Sequence, residues 1–310
     1  MLGSLLHSAR RALSPGLLAS GVFGASTIVA YQLDWLSAVP AKAEEKKSDA
    51  ALNSDEWRSF KVMKKWPVTH NTQGLRFAFP DASQESGLHV ASCLLTRAPI
   101  GSENKDGSRK FVIRPYTPAT EPDAKGYLDL VVKVYPNGKM SKHMGELEVG
   151  DSLDIKGPIS KLPYTPNMKQ KIGMIAGGSG LTPMLQVAQE ITRNPEDKTE
   201  VTLVYANVSE DDILLRRELD DMARKHKNFK VYYVVDKPTS WFWKGGKGHI
   251  TADTVKQQLP PPSDNNLILV CGPPPMMKAI SGDKAEDKSQ GPLQGALKDC
   301  GYTESQVFKF

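Results

Sequence analysis

Apolar and polar residues alternate beyond residue 56 with the period of two that is typical of β-strands. Turn signals interrupt the alternation at residues 136–138 and 149–151, where proline, asparagine, glycine and aspartate cluster. Strands are predicted at 60–65, 75–80, 110–114, 127–135 and 152–156. Because no long helical pattern separates them, residues 56–165 are predicted to form a small antiparallel β-barrel domain.

The pattern changes after Pro166, where predicted strands begin to alternate with predicted helices. Apolar runs predict buried strands at 172–176, 201–205, 230–235 and 267–270, and a last strand at 307–310. A helix is predicted to begin at Pro183, with Thr182 as its cap, and further helices are predicted at 212–225, after Thr251, and at 291–300. This alternation predicts a Rossmann-like α/β domain over 166–310, whose parallel sheet carries helices on both faces.

The N-terminus differs from both domains in its charge. Residues 1–33 contain no aspartate or glutamate, and residues 12–33 carry no charged side chain. A helix of about 22 uncharged residues is long enough to span a bilayer core. Residues 1–40 are therefore predicted to form a targeting and membrane-anchor segment, with a cleaved signal as the alternative. Residues 41–55, rich in charged and small residues, are predicted to be a solvated linker.

Composition and charge exclude several classes of function. The 310 residues carry a formal net charge of +5, which gives no case for nucleic-acid binding. The three cysteines form no CxxC pair, and the six histidines are scattered without metal-ligand spacing. No metal site is therefore expected, and the cysteines are predicted to be free thiols.

Residues 114–120, RPYTPAT, place an arginine, an aromatic ring and hydroxyls at the end of a predicted strand. Arg114 suits a diphosphate, because a guanidinium forms bidentate bonds to phosphate. Tyr116 suits the face of a flavin ring, and Thr117 suits its edge. Backbone amides at the helix start in GKMS, residues 138–141, suit the same diphosphate. Together the segments indicate a flavin dinucleotide site, although each alone also fits a surface turn.

Three further features indicate a second dinucleotide site. The glycines of GGSGLTP, residues 177–183, allow a close approach of backbone to ligand. The segment CGPPPM, residues 271–276, begins at the carboxyl end of a strand, where such sheets bind ligands. Asp236 ends another strand, where a carboxylate can bond adenosine ribose hydroxyls and repel a 2′-phosphate. Singly, these features also fit an ordinary turn, a small buried cysteine and a solvated acid.

In this order the segments resemble the NADH-cytochrome b5 reductase family, from about residue 58 to the C-terminus. The resemblance includes VVKVY at 131–135, MIAGGSGLTPM at 174–184 and DILL at 212–215. The wider ferredoxin-NADP reductase superfamily shares only a sparser pattern. The resemblance implies a β-barrel FAD domain followed by an NADH-binding α/β domain. The tail from residue 301 and residues 194–199 are most similar to the mitochondrial form of fungi and plants.

The resemblance also implies roles for individual residues. Catalytic roles are implied for Thr117, Lys133 and Cys271, with Lys133 helping to place NADH and Cys271 lying near the nicotinamide. Thr120 stands where serine is usual, and Ser179 where threonine is usual, so both positions keep a hydroxyl. The implied cofactor-binding residues are Arg114, Pro115, Tyr116, Thr117, Thr120, Val132, Lys133, Tyr135, Gly138, Lys139, Met140, Ser141, Gly177, Gly178, Ser179, Gly180, Thr182, Pro183, Asp236, Cys271, Gly272, Pro273, Pro274, Met276 and Phe310.

The implied activity is electron transfer from NADH through FAD to an acceptor that takes electrons singly. The expected acceptor is cytochrome b5 or a similar acidic haem protein, steered by lysines such as Lys139 and Lys142. A quinone or another small acceptor, and a non-catalytic membrane-tethered flavoprotein, remain as alternatives. A monomer is expected at the mitochondrial outer membrane or in the intermembrane space, with the endoplasmic reticulum membrane as the alternative.

Overall fold

The first half of the fold is a six-stranded antiparallel sheet with strand order β4-β3-β6-β1-β2-β5. The computed structural model describes residues 50–121 and 123–310. The strands are β1 (Arg58–Thr69), β2 (Thr72–Ala78), β3 (Ser92–Ala98), β4 (Val112–Tyr116), β5 (Tyr127–Lys133) and β6 (Ser152–Ser160). One helix, α1 (Lys139–Glu146), follows β5. The alternating segments predicted from the sequence therefore form strands, with somewhat different ends.

The antiparallel sheet buries alternate side chains of its strands in one core. Leu75 on β2 pairs with Leu130 on β5, and both side chains are fully buried. Met140 and Met144 project from α1 into the same core. The apolar stripe of α1 therefore holds this short helix against the sheet, and its first turn lies at a fixed place beside the strand ends.

Hydrogen bonding does not close the barrel that the sequence predicts for this domain. Among the described strands, β4 and β5 are the two edges, and no ladder joins them. Helix α1 packs against both β4 and β5. A helix at this seam keeps the two strand edges apart, so the domain is an open antiparallel sheet with a helix across its gap.

The second half is a six-stranded sheet with order β10-β9-β8-β7-β11-β12, and all its ladders are parallel. Its strands are β7 (Lys171–Gly177), β8 (Glu200–Asn207), β9 (Phe229–Val235), β10 (Gly246–Lys247), β11 (Asn266–Cys271) and β12 (Val307–Lys309). Its helices are α2 (Leu181–Arg193), α3 (Arg216–Lys225), α4 (Ala252–Gln258), α5 (Pro274–Ile280) and α6 (Gly295–Asp299).

Helices cover both faces of the parallel sheet, as predicted. In β7, Met174 belongs to the core that α2 covers, whereas Ile175 belongs to the core that α4, α5 and α6 cover. Successive side chains of a strand point to opposite faces, so a fully apolar strand supplies both cores at once. The carboxyl ends of β7, β8, β9 and β11 therefore lie along one edge of the sheet.

Three predicted helix boundaries are wrong. The helix predicted at 212–225 begins at Arg216, because residues 210–212 form a short 3₁₀ turn and Leu215 has a left-handed φ of +53°. Thr182 does not cap a helix, because α2 begins at Leu181 directly after a short 3₁₀ turn over Gly178–Gly180. The Thr182 hydroxyl instead donates to the Ser179 carbonyl, 3.2 Å away, inside the first turn. The last helix is shorter than predicted: α6 begins at Gly295, whose φ of +66° and crowded surroundings suit glycine.

The predicted anchor segment, residues 1–40, and most of the predicted linker lie outside the described residues. Within the described part of the chain, none of the helices is long and apolar enough to span a lipid bilayer. Residues 50–55 belong to the predicted linker, but only Ser54 and Asp55 among them are exposed. Ala51 and Leu52 are buried in the core of the antiparallel sheet, and the Ala51 amide donates to the Glu85 carbonyl. Two apolar residues suffice to dock this segment.

Candidate functional site

A cavity of about 910 Å³ lies between the antiparallel and parallel sheets, and both contribute to its walls. Its volume is in the range of sites that take large cofactors. The structure brings together here most of the residues that the sequence identified: Arg114, Pro115, Tyr116, Thr117, Lys133, Tyr135, Gly138, Lys139, Met140, Ser141, Ser179, Gly180, Thr182, Pro183, Cys271, Gly272, Pro273, Pro274 and Phe310.

The end of β4 presents a cation, an aromatic ring and a hydroxyl to this cavity. The Arg114 side chain is exposed, and its Nη1 donates to the Ile113 carbonyl at 2.7 Å. The strand is held by Thr96, whose hydroxyl donates to the Arg114 carbonyl at 3.1 Å. Tyr116 is half-buried, and burial raises the pKa of its phenol to about 12. The phenol is therefore a neutral hydrogen-bonding group at physiological pH.

The first turn of α1 faces the same cavity. Gly138 is its N-cap, with no side-chain cap and no acidic residue in the first turn. The Ser141 hydroxyl accepts from the Tyr135 amide and donates to the Gly138 carbonyl, each at 3.2 Å, which fixes the turn. A Cβ on Gly138 would lie 2.3 Å from Ser141 Oγ, so glycine is needed here. The first amides of the helix have no intrahelical acceptor and carry a partial positive charge.

The glycine turn after β7 forms the opposite wall. Gly178 has a φ of +53°, and a Cβ there would meet nothing within 4 Å, so its surroundings are open. At Gly180, a Cβ would lie 2.2 Å from the Cys271 carbonyl, so only glycine allows the two strands' ends to meet. The fully buried Tyr205 donates its hydroxyl to the Gly178 carbonyl at 2.9 Å. The turn is therefore held by Tyr205 from within the parallel domain, and its Gly178 Cα faces open space.

Cys271 ends β11 at the cavity wall. Burial raises the pKa of its thiol to about 12. The thiol is therefore protonated at neutral pH, and the site does not activate it as a nucleophile. Its surroundings suit a small apolar contact to a ligand.

A second cavity, of about 430 Å³, lies along the carboxyl edge of the parallel sheet. Sequence-predicted residues in its walls are Lys133, Tyr135, Gly177, Gly178, Asp236, Pro273 and Met276. Lys133, Tyr135 and Pro273 line both cavities, so the two cavities adjoin at these three residues. The exposed Asp236 lies in the wall of the smaller cavity, after β9.

Asp212 supports the site through Lys133, although the sequence analysis assigned it no role. Its Oδ1 lies 2.9 Å from Lys133 Nζ, and its Oδ2 accepts from the Ser209 hydroxyl at 2.8 Å. Burial by itself raises the pKa of Asp212, but the bonds from Lys133 and Ser209 outweigh burial and hold that pKa below its ordinary value. The carboxylate therefore stays ionised and fixes the ammonium of Lys133 where the two cavities meet. The sequence feature that could have identified Asp212 is its place in the DILL segment, which is part of the resemblance to the family.

Two predicted cofactor-binding residues line neither cavity. Thr120 is buried, and its hydroxyl bonds to the backbone of Asp129 on the neighbouring strand. Val132 is buried in the core of the antiparallel sheet. Its neighbour Val131 lines the larger cavity instead, because alternate residues of β5 face opposite sides. The prediction for β5 was therefore displaced by one residue, which places the predicted side chain on the opposite face of the strand.

The segment after α5 brings a group of cations that the sequence motifs did not reveal. Lys284 and Lys288 line the larger cavity together with Lys161, which follows β6. Lys284 also donates to the Lys309 carbonyl at 3.0 Å, and burial lowers the pKa of its ammonium. The remaining unforeseen residues in this wall are Ser92, Cys93, Val131 and Asn137.

The C-terminal Phe310 is placed in the larger cavity by a buried lysine. Lys309 is only 2% exposed, and its ammonium donates to the carbonyls of Asp283 and Pro292 at 3.1 and 3.0 Å. Its own amide donates to Gln290 Oε1 at 2.6 Å. These bonds tie residues 283–292 to β12, next to Phe310.

The residues present fit FAD and a nicotinamide dinucleotide. An exposed guanidinium and free helix amides on one wall match a diphosphate, and Tyr116 and Thr117 match a flavin ring. The smaller cavity offers an open glycine turn and a strand-end carboxylate, which match the second dinucleotide. In this cavity the side-chain amide of Asn207 is buried without a well-formed hydrogen bond to the described protein. A bound ligand would supply that partner.

Comparisons with known proteins agree with this assignment. Residues 59–164 match the family described as the oxidoreductase FAD-binding domain, and residues 174–282 match the oxidoreductase NAD-binding domain. An NADH-cytochrome b5 reductase-like protein of Arabidopsis thaliana is 58% identical over 86% of this chain and 80% of its own length. NADH-cytochrome b5 reductase 2 of Emericella nidulans is 46% identical over 97% of this chain and 92% of its own.

A solved structure extends the agreement to the fold. The cytochrome b5 reductase domain of Ulva prolifera nitrate reductase has a TM-score of 0.72 and 33% identity. The match covers 84% of this chain and 99% of that domain. The two-domain arrangement, both cofactor domains and the relatives lead to one assignment. The chain is an oxidoreductase that belongs to the NADH-cytochrome b5 reductase family.

Proposed function

We propose that this chain passes electrons from NADH through FAD to cytochrome b5 or a similar acidic haem protein. The observation that carries the proposal is the junction of the two cavities at Lys133, Tyr135 and Pro273. Two dinucleotides in these cavities would place their reactive ends beside one another. The names of the Arabidopsis and Emericella relatives support the choice of acceptor.

The antiparallel domain supplies the groups that hold FAD. When bound, FAD accepts two electrons as a hydride and releases them one at a time. Arg114 and the first amides of α1 would hold the diphosphate, and Tyr116 and Thr117 would offer a ring face and a hydroxyl to the flavin. Ser141 acts indirectly, because its hydroxyl is occupied in shaping the turn.

The parallel domain and Lys133 orient NADH. The open turn at Gly178 admits the dinucleotide backbone, and Asp236 takes the ribose hydroxyls while repelling a 2′-phosphate. Lys133, held by Asp212, places a fixed positive charge where the cavities meet. Protonated Cys271 gives the nicotinamide a neutral, compact contact. No side chain needs to act as a general acid or base in the transfer of hydride.

Mixing experiments test the reductase and its acceptor separately. We expect the purified chain to be yellow, to release FAD on denaturation, and to lose its flavin colour when NADH is added without oxygen. Arg114→Gln should lower FAD occupancy, with the exposed Arg109→Gln as the control. Recovery of FMN alone would contradict the FAD assignment. Oxidised cytochrome b5 should then restore the colour faster than a quinone; the reverse order would favour the small-molecule acceptor.

Salt dependence tests how the acceptor docks. Lys139 and Lys142 are exposed at the start of α1, beside the larger cavity. If they steer an acidic haem protein, its reduction should slow steeply as ionic strength rises. Lys142→Gln should flatten that dependence, while Lys256→Gln, an exposed lysine on α4, should not. Ferricyanide reduction is measured over the same range of ionic strength, because this small acceptor is itself anionic and has its own salt dependence.

For location, we propose an N-terminal anchor at the mitochondrial outer membrane, with a cleaved form in the intermembrane space and a monomeric catalytic body. The acid-free segment 1–33 and its uncharged run support this proposal. Deleting residues 1–40 should leave NADH-ferricyanide activity intact and abolish mitochondrial association. A truncated chain that still fractionates with mitochondria would contradict it, as would an intact chain found only on the endoplasmic reticulum. Sedimentation of the truncated chain tests the monomer.

A further inference from the structure

Two consecutive aromatic side chains project into solvent from the loop between β9 and α4. Trp241 is 100% exposed and Phe242 is 87% exposed. The next residue, Trp243, is half-buried against the core, and its indole nitrogen donates to the Gly246 carbonyl at 2.9 Å. The loop therefore buries one aromatic residue and presents two. Large apolar side chains exposed together mark a surface that meets a partner.

The loop that carries this pair is fixed to the parallel domain. The Glu210 carboxylate accepts from the Thr239 amide at 2.7 Å, from the Thr239 hydroxyl at 2.9 Å, and from the Ser240 amide at 3.0 Å. The Phe242 amide in turn donates to the Ser240 hydroxyl at 3.1 Å. Bonds from the Thr239 and Ser240 amides lower the pKa of Glu210 to about 2, so the carboxylate remains charged. The loop that carries the exposed pair is therefore held in place by hydrogen bonds to Glu210 and Ser240.

Lysines flank the exposed pair. Lys237, Lys244 and Lys247 are all exposed, and Asp236 is the one acidic residue between positions 236 and 249. Aromatic rings favour the boundary between lipid headgroups and acyl chains, and lysines beside them are attracted to anionic headgroups. A protein interface usually surrounds its aromatic anchors with further packing residues. Here, apart from the half-buried Trp243, the neighbours in sequence at 239–247 are threonine, serine, lysine and glycine.

We propose that Trp241 and Phe242 insert into the headgroup region of an anionic lipid surface, with Lys237, Lys244 and Lys247 attracted to its phosphates. The pair lines neither cavity, so this contact is separate from cofactor binding. Asp236 and His249, at the two ends of the loop, do line the smaller cavity. Insertion would therefore hold the smaller cavity at the membrane surface and orient the catalytic body, in addition to any N-terminal anchor.

Fluorescence quenching by lipid tests the proposal on the full chain. The chain is mixed with vesicles of phosphatidylcholine whose brominated acyl chains quench tryptophan fluorescence. One set of vesicles also contains about 30% phosphatidylserine, which makes the surface anionic. We expect tryptophan quenching on anionic vesicles to be smaller in Trp241→Ser than in the wild type, because Trp35 in the N-terminal segment contributes equally to both. The double variant Lys244→Gln/Lys247→Gln should need about tenfold more anionic lipid for the same quenching. The N-terminal segment is identical in every variant, so any tether that it provides cancels in the comparison.

Phe111→Ser is the matched control, because Phe111 is 53% exposed on the other domain. It should leave the quenching unchanged, and all variants should keep NADH-ferricyanide activity in detergent. Equal quenching of the wild type and Trp241→Ser would overturn the proposal. So would a raised KM for NADH in Trp241→Ser/Phe242→Ser, which would assign the pair to the cofactor. Slower reduction of a haem protein by that double variant without vesicles would assign the pair to a protein partner instead.

Discussion

The ammonium of Lys133 lies 2.9 Å from the carboxylate of Asp212, and this ion pair joins the two domains at the junction of the two cavities. Lys133 ends β5 of the antiparallel sheet, whereas Asp212 follows β8 of the parallel sheet. Asn71, at the turn between β1 and β2, donates to the same carboxylate oxygen at 3.4 Å. The position of the Lys133 ammonium therefore depends on the packing of one domain against the other.

Removing the charge of Asp212 should weaken both the fold and the binding of NADH. Asp212→Asn leaves the ammonium of Lys133 unpaired in a largely buried place, so the free energy of unfolding should fall by about 3 kcal/mol. The KM for NADH should rise about tenfold, with a smaller change in kcat. Denaturant unfolding and steady-state kinetics measure the two effects.

Asp211→Asn is the control, because Asp211 is exposed beside it and should change neither quantity. If Asp212→Asn matched the wild type in stability and in KM, the carboxylate would have no part in placing Lys133.

Asp236 should determine the choice between NADH and NADPH. Its carboxylate is exposed in the smaller cavity, where it would face the 2′-phosphate of NADPH and repel it. Asp236→Ala should raise kcat/KM for NADPH about tenfold and reduce the preference for NADH. Asp253→Ala, another exposed aspartate in the same domain, should leave the preference unaltered. Equal use of both cofactors by the wild type would show that Asp236 is directed elsewhere.

Lys309 should hold the segment 283–292 in place. Lys309→Met keeps the length of the side chain but leaves the carbonyls of Asp283 and Pro292 without their donor. The cost should be about 1–3 kcal/mol in the free energy of unfolding. The protease Glu-C should then cleave after Glu286 faster than in the wild type. Lys298→Met, at an exposed position of α6, should behave as the wild type, and unchanged cleavage in Lys309→Met would contradict the role.

The Cys271 thiol should react as a protonated group. Since burial raises its pKa to about 12, roughly one molecule in ten thousand carries the thiolate at pH 8. Alkylation by iodoacetamide should be at least about 100-fold slower than for a peptide thiol. The rate should continue to rise above about pH 9, where the peptide thiol reaches its plateau. Mass spectrometry follows each site; a plateau near pH 9 at Cys271 would indicate shielding by the fold alone.

Local patterns in the sequence were enough to identify the elements of the fold and the segments that form the candidate site. Alternation with a period of two and buried apolar runs are local properties, so they identified the antiparallel and parallel halves without knowledge of any partner. The segments around Arg114, Gly138, Gly178 and Cys271 carry their function in backbone conformation and residue type. All four meet in one cavity, because each lies at the end of a strand or the start of a helix.

The side chains that face that cavity, and the residues that support them, follow from the three-dimensional packing of the chain. Val131 rather than Val132 lines the wall, because the pairing of β5 sets which of its faces meets the parallel domain. Asp212 reaches Lys133 across 79 residues of chain, and Lys309 binds carbonyls that are 17 and 26 residues away. Such contacts depend on strand register and domain packing, which no local pattern of residues encodes.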